Sequence, residues 1–388
     1  MSWLECNTGI LLPCTDGVDK NHKNELILVE KIKVYCHDLT RADNGNLFRK
    51  SGFYMKYREE KNVTQTYKEK YVEDIEKIIE KRQKEAEHIR KEYVKDIFSN
   101  QEKYRRDFKK MLGWPLVDYY TNELPKTDIE LLSKEDGYEI YRMKIEIVED
   151  LHVTGLFFKS EGDEKKPMVL LQHGGLGTPE LISGFYGNTG NYNDMLQRVR
   201  RNDVHIFAMQ LLLWADDYDV KFNRTDIDAR LKRVGSSITA LEVFGLMRVM
   251  DYFEKQDYVS SFGMVGLSYG GFYTLFTTAI DTRIKSAISC SFFNKRDTVP
   301  WSDWVWFESA FKFDDTEVAC LVYPRKLHIA IGDNDDLFDY KYGVESFEKI
   351  KEMCEKVGTE WLTFELFNGT HEFFKNDEPI QKLIYDIK

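Results

Sequence analysis

Apolar residues keep two different periods along this chain. Between Thr64 and Leu112 they fall at Tyr67, Tyr71, Ile75, Ile78, Ile79, Ala86, Ile89, Tyr93 and Ile97, in a stretch dense in Lys, Glu and Arg and free of Gly and Pro. Steps of three, four and seven residues trace one face of an α-helix. Ser99-Asn100 predicts a break. A second helix then carries Tyr104, Phe108 and Leu112 until Gly113-Trp114-Pro115 stops it. No strict heptad persists, so the stretch reads as a two-helix appendage packed on a neighbouring domain. Before it, Leu26–Val29 and Ile32–Tyr35 suggest strands.

After Gly137 the texture becomes short apolar runs alternating with helical patterns. Tyr138–Glu149 and Leu151–Lys159 alternate as a β-hairpin would. Strands are then predicted at Met168–Gln172, Val204–Met209, Phe262–Leu267, Ile284–Cys290, Lys326–Ile331 and Trp361–Phe367. Helices fall between them near Tyr192–Arg201, from Asp226 to Lys255, from Tyr269, at Gly343–Val357 and after Glu372. Such alternation predicts an α/β fold, a mostly parallel sheet with helices on both faces, entered by an antiparallel hairpin. The expected organisation is an N-terminal segment at 1–63, a charged helical extension at 64–137 and a catalytic domain at 138–388. An aromatic-rich cap insertion interrupts that domain at about 294–317.

Composition removes several classes. Of 388 residues 42% are hydrophobic, 14% aromatic and 31% charged, which is ample core material and excludes a disordered chain. Lys and Arg number 55 against 66 Asp and Glu, a net charge of −11. Without a basic block, nucleic acid is not an expected partner. Cys6, Cys14, Cys36, Cys290, Cys320 and Cys354 are scattered without a C-x-x-C pair, so neither a disulfide framework nor a metal site is expected. The N-terminus lacks the basic head and apolar run of a signal peptide, and no stretch approaches a membrane span. The expected location is cytoplasmic, with no membrane partner.

The chemistry gathers at strand ends. Gly266-Leu267-Ser268-Tyr269-Gly270-Gly271 lies between a buried strand and a helix. There a Ser occupies a sharp turn and the flanking glycines let strand and helix approach. A nucleophilic Ser needs a base, and the base an orienting acid. His371, in Asn368-Gly369-Thr370-His371 after the last strand, is the candidate base. The acid lies in Gly332-Asp333-Asn334-Asp335-Asp336-Leu337-Phe338-Asp339, where Asp335 is the choice and Asp333 the alternative. After Met168–Gln172 comes His173-Gly174-Gly175-Leu176-Gly177. The Gly174 and Gly175 N–H groups can there point at an oxyanion, Gly175 pairing with Tyr269. His173 reads as a residue that orients this loop. A phosphate loop is excluded because no Lys-Ser/Thr follows. Trp214, Trp301, Trp304 and Trp306 emerge near the same edge, as substrate-pocket walls or as cap packing.

With these motifs in the order Ser, Asp, His, residues 138–388 resemble the α/β-hydrolase superfamily. Gly-Leu-Ser-Tyr-Gly-Gly-Phe, the following Ala279–Lys285 and Pro324-Arg325 are similar to two of its groups. These are the acetyl-xylan-esterase and dienelactone-hydrolase-like esterases, and the catalytic core of prolyl-oligopeptidase-type peptidases. The resemblance implies Ser268 as nucleophile, Asp335 as acid, His371 as base, and Tyr269 and Gly175 as oxyanion donors. Those peptidases carry a β-propeller that the N-terminal residues here are too few and too helical to form, and dienelactone hydrolases proper use Cys where Ser268 stands. The expectation is therefore a serine esterase acting on a small-molecule ester, requiring no metal or organic cofactor. Peptidase activity and a non-catalytic interaction protein are the alternatives. The helical extension suggests a homo-oligomer contact or a lid.

Overall fold

The computed structural model describes residues 3–5, 11–13, 57–117, 119, 121–214, 222–299 and 301–388. The chain forms two units, Met1–Ile75 and Glu76–Lys388. In the first, β1 (Trp3–Glu5) and β2 (Leu11–Pro13) pair antiparallel. The strands expected at 26–29 and 32–35 lie outside the described residues, as do Cys6, Cys14 and Cys36.

The second unit is built on nine strands: β3 (Thr127–Glu135), β4 (Tyr138–Val148), β5 (Leu151–Ser160), β6 (Lys166–Gln172), β7 (His205–Met209), β8 (Val259–Leu267), β9 (Ile284–Cys290), β10 (Lys326–Gly332) and β11 (Leu362–Phe367). Their order across the sheet is β11-β10-β9-β8-β6-β7-β5-β4-β3. From β7 to β11 all neighbours are parallel, while β5, β4 and β3 add an antiparallel ribbon. The expected α/β architecture is therefore present. Along β6 every residue is buried, yet alternate residues serve opposite faces. Met168 and Leu170 join the core beneath helices Ile238–Glu254 and Tyr269–Ile280. Val169 and Leu171 join the core beneath Met195–Arg200 and Glu378–Ile387. A sheet covered on both faces demands such continuous apolar runs.

Three local differences have physical causes. The sheet begins at Thr127 and not at Tyr138. β3 pairs with β4 alone, at the sheet's edge, and exposes most of its side chains, so no burial pattern marks it. The helix expected from Asp226 to Lys255 is two helices, Arg224–Arg233 and Ile238–Glu254. Gly235 turns left-handed at φ 82° between them, and the Ser237 side chain caps the second by accepting from Ala240 N–H.

Helix Lys61–Tyr93 is the third case. At 33 residues it runs about 50 Å. Tyr67, Tyr71, Ile78 and Ile79 on its apolar stripe are exposed, whereas Ala86 and Arg90 are buried. Arg90 donates to Glu317 Oε1 at 3.1 Å and to Ala310 O at 2.6 Å. The next helix, Gln101–Leu112, packs fully: Phe108 is buried with its ring 5.0 Å from Phe276 and 5.2 Å from Phe313. Among the described residues no helix is long and apolar enough to cross a membrane.

Candidate active site

At the carboxyl ends of β6, β8, β9, β10 and β11 the chain brings the sequence's chemical residues onto one edge. Ser268 forms the turn from β8 into helix Tyr269–Ile280 with φ 59° and ψ −123°, a conformation that side chains other than glycine rarely adopt. Its N–H donates to Cys290 O at the end of β9 (2.9 Å). Tight packing holds the turn: a Cβ on Gly270 would lie 2.2 Å from Gln172 O. Only glycine there lets the helix start lean onto the end of β6. Ser268 itself is 9% exposed.

Asp335 and His371 meet across two loops. Nδ1–H of His371 donates to Asp335 Oδ2 at 2.9 Å, and this carboxylate is fully shielded from solvent. Its other oxygen accepts from Leu337 N–H (2.9 Å) and Phe338 N–H (3.0 Å), which fixes its direction. Asp333 does different work. Its Oδ1 accepts from Gly369 N–H at 3.2 Å, while Asn334 N–H donates to Gly369 O at 2.9 Å, stitching the acid loop to the histidine loop.

Further anchors of that loop carry no signature in the sequence. Asn191 donates to His371 O (2.9 Å), and Asn193 donates to Glu372 Oε2 (2.7 Å) and Phe373 O (2.6 Å). Ser291 donates to Glu372 O (3.0 Å). With Nδ1 committed to Asp335, Nε2 of His371 makes no hydrogen bond among the described residues.

The glycine loop after β6 backs onto the elbow. A Cβ on Gly174 would sit 2.8 Å from Ser268 Cβ and 3.4 Å from its Oγ. Gly174 N–H, however, donates to Tyr192 Oη at 2.9 Å. That removes Gly174 from the expected donors and leaves Gly175 and Tyr269. Neither of their N–H groups donates to another group among the described residues, and Tyr269 opens a helix whose N-terminus favours negative charge.

His173 lies beneath the loop, fully buried. Its Nδ1–H donates to Gly174 O (2.9 Å) and its Nε2 accepts from Leu211 N–H (3.0 Å), the orienting part expected of it. Burial lowers its pKa from 6.5 to about 4, and burial does the same to His205, whose Nδ1 accepts from Ser160 N–H (3.1 Å). Unfolded chains take up a proton on each imidazole near pH 6.5, folded ones only near 4. The unfolded state thus binds more protons in that window, and stability falls as pH falls through it. Once pH is below 4, His173 alone accounts for a loss of about 3 kcal/mol. Urea midpoints measured across the window should drop toward acid, and less steeply in His205→Asn, which keeps an acceptor but does not titrate. Equal slopes in the two proteins would contradict this account.

The tryptophans separate into two kinds. Trp214 is 44% exposed, edge-on to the Tyr269 ring at 5.4 Å, and its carbonyl accepts from Leu176 N–H at 2.9 Å. Trp301 stacks on Tyr269 (5.8 Å) and meets Phe338 (5.7 Å), whose ring lies 5.7 Å from His371. These two rings pack around Tyr269, next to Ser268 in the chain. Trp304 and Trp306 are buried and belong to cap packing. Trp306 lies against Phe272 and Phe276 and donates to Ser237 Oγ at 3.4 Å. Among the described residues no group of three or more His, Cys, Asp or Glu is placed to hold a metal ion.

No protein-family profile and no curated protein sequence matches the chain. Solved structures do. A candidate acetyl xylan esterase from Bacteroides fragilis is similar with a TM-score of 0.57 at 13% identity, over 74% of this chain and 82% of its own. The glucuronoyl esterase from Solibacter usitatus has a TM-score of 0.52 at 14% identity, over 74% of this chain and 91% of its own. A methylesterase reaches 0.53 at 15% identity, over 76% of this chain and 63% of its own. At such identities the likeness establishes the fold, and the chain has the α/β-hydrolase architecture.

Proposed function

We propose that this protein is a serine hydrolase cleaving a carboxylic ester, with a short acyl group carried on a carbohydrate alcohol. The observation carrying the proposal is the His371–Asp335 hydrogen bond of 2.9 Å on the sheet edge that also presents Ser268 in its strained turn. Similarity in fold to the three esterases supports the reaction class, and the half-exposed Trp214 supports a ring-bearing alcohol.

In this reading the reaction runs through Ser268, His371 and Asp335. Nε2 of His371 takes the Ser268 proton as Oγ bonds to the ester carbon. Asp335 holds the imidazole in the tautomer that accepts there and stabilises the cation formed. The carbonyl electron pair moves onto oxygen, facing Gly175 and Tyr269 N–H, where each donor is worth about 3 kcal/mol. As the tetrahedral carbon collapses, the C–O bond to the alcohol breaks and the imidazolium protonates the leaving oxygen. Water, deprotonated by the same histidine, then cleaves the acyl-enzyme.

Hydrolysis of p-nitrophenyl acetate, butyrate and octanoate beside alanine p-nitroanilide tests the proposal. Rates should fall with acyl length and the anilide should stay intact. Acetate release from acetylated xylo-oligosaccharides would then extend the result to sugars. Dominant anilide cleavage would make the protein a peptidase. Inertness to all substrates and to a fluorophosphonate would make it a non-catalytic member of its fold.

A further inference from the structure

The Tyr269 side chain enters a cluster of buried charge. Its hydroxyl donates to Asp303 Oδ2 at 3.0 Å, and the same oxygen accepts from Arg224 Nε at 2.8 Å. Arg224 Nη2 donates to Tyr273 Oη (2.7 Å), and Nη1 donates to Glu242 Oε2 (3.1 Å) and Leu212 O (2.7 Å). Glu242 accepts from Leu212 N–H at 2.6 Å and also from Tyr273 Oη. Arg224, Glu242, Asp303, Tyr269 and Tyr273 are all buried. Leu212 is thus gripped through both its N–H and its carbonyl. On either side of it, Leu211 N–H donates to His173 Nε2 (3.0 Å) and Trp214 O accepts from Leu176 N–H (2.9 Å), so segment 211–214 holds both flanks of the Gly174-Gly175 loop.

We infer that Arg224 is a positioning residue for both halves of the oxyanion site, setting Tyr269 through Asp303 and the Gly175 loop through Leu212. This rests on the serine-hydrolase reading and adds a residue that touches neither the substrate nor the Ser268–His371–Asp335 set. One planar guanidinium with donors in fixed directions can hold two loops at a set separation, which an ammonium cannot. Burying an arginine with two carboxylates gains little net stability over apolar packing of the same volume. Direction is what the cluster supplies, and oxyanion donors need it, because their effect depends on placement within tenths of an ångström. Asp303 belongs to the cap insertion, so the same contact couples the cap to the elbow.

The test compares Tyr269→Phe, Arg224→Lys and Arg224→Met with wild type on p-nitrophenyl acetate. Rates are expressed per active site titrated with a fluorophosphonate, so that misfolded protein does not count. Per titrated site, kcat should fall roughly 10-fold in Tyr269→Phe and roughly 10²-fold in Arg224→Met. Arg224→Lys should recover only part of the loss. KM should stay within about threefold, since the loss is of transition-state stabilisation and not of ground-state binding. If Arg224→Met does not fold, Tyr269→Phe, which loses a single oxygen, and Arg224→Lys decide. Unchanged kcat per titrated site in those two variants would overturn the inference. Ester turnover that survives Ser268→Ala would overturn the serine-hydrolase reading instead.

Discussion

Ser268→Ala should lower kcat/KM for p-nitrophenyl acetate by about 10⁴-fold or more and abolish fluorophosphonate labelling. The residue would leave Gly175 and Tyr269 N–H in place, so the remaining activity is what oriented donors and binding achieve without a covalent step. The fold should tolerate the change, because the Ser268 side chain caps no helix N–H and the turn's hydrogen bond to Cys290 O comes from the backbone. Thermal unfolding should shift by no more than about 2 °C, which separates lost chemistry from lost structure. Ser291 is the natural control. It also has positive φ (49°) at a strand's carboxyl end, but its hydroxyl is committed to Glu372 O at 3.0 Å. Ser291→Ala should label normally and lose at most a few-fold in rate through a looser histidine loop. Labelling that persists in Ser268→Ala and disappears in Ser291→Ala would move the nucleophile to the neighbouring strand.

What could be read from the residues follows from how each feature is encoded. Continuous apolar runs such as Met168–Gln172 and Phe262–Leu267 mark strands covered on both faces, and the Gly-Leu-Ser-Tyr-Gly-Gly turn follows one of them directly. Crowding at such a turn is local, so adjacent glycines betray it. β3 was not legible, because Thr-Asp-Ile-Glu-Leu-Leu-Ser-Lys-Glu at the sheet edge keeps no buried face and its alternation is cut short by a register shift between Leu131 and Ser133. The break at Gly235 hid inside an unbroken apolar rhythm. Among the chemical residues, Asp335 and Asp333 are indistinguishable by spacing. Only the loop's folding turns one toward the imidazole and the other toward Gly369 N–H. Gly174 and Gly175 likewise look equivalent until Tyr192, remote in sequence, takes one of the two N–H groups. Arg224, Glu242 and Asp303 carried no signal at all. Buried ionic partners lie on separate elements, and nothing local distinguishes them from surface charge.

Asp335→Asn should lower kcat by roughly 10³- to 10⁴-fold, while Asp333→Asn should cost only a few-fold. At 335 the amide can keep its carbonyl oxygen toward Leu337 and Phe338 N–H, which holds the loop and turns the NH₂ group toward His371. Nδ1 must then accept instead of donate. The imidazole proton moves to Nε2, and the nitrogen that should receive the Ser268 proton already carries one. Loss of the carboxylate, whose own side chain is shielded from solvent, also leaves the imidazolium of the transition state without its counter-charge. At 333 an amide oxygen still accepts from Gly369 N–H, so the join between the two loops survives without a charge. Both variants should label more slowly than wild type but fully, since Ser268 and its donors remain, with Asp335→Asn the slower by far. A collapse of kcat in Asp333→Asn with near-normal Asp335→Asn would reassign the acid. Equal, mild losses in both would mean that His371 needs no carboxylate to direct it, and the mechanism derived from the 2.9 Å contact would fail.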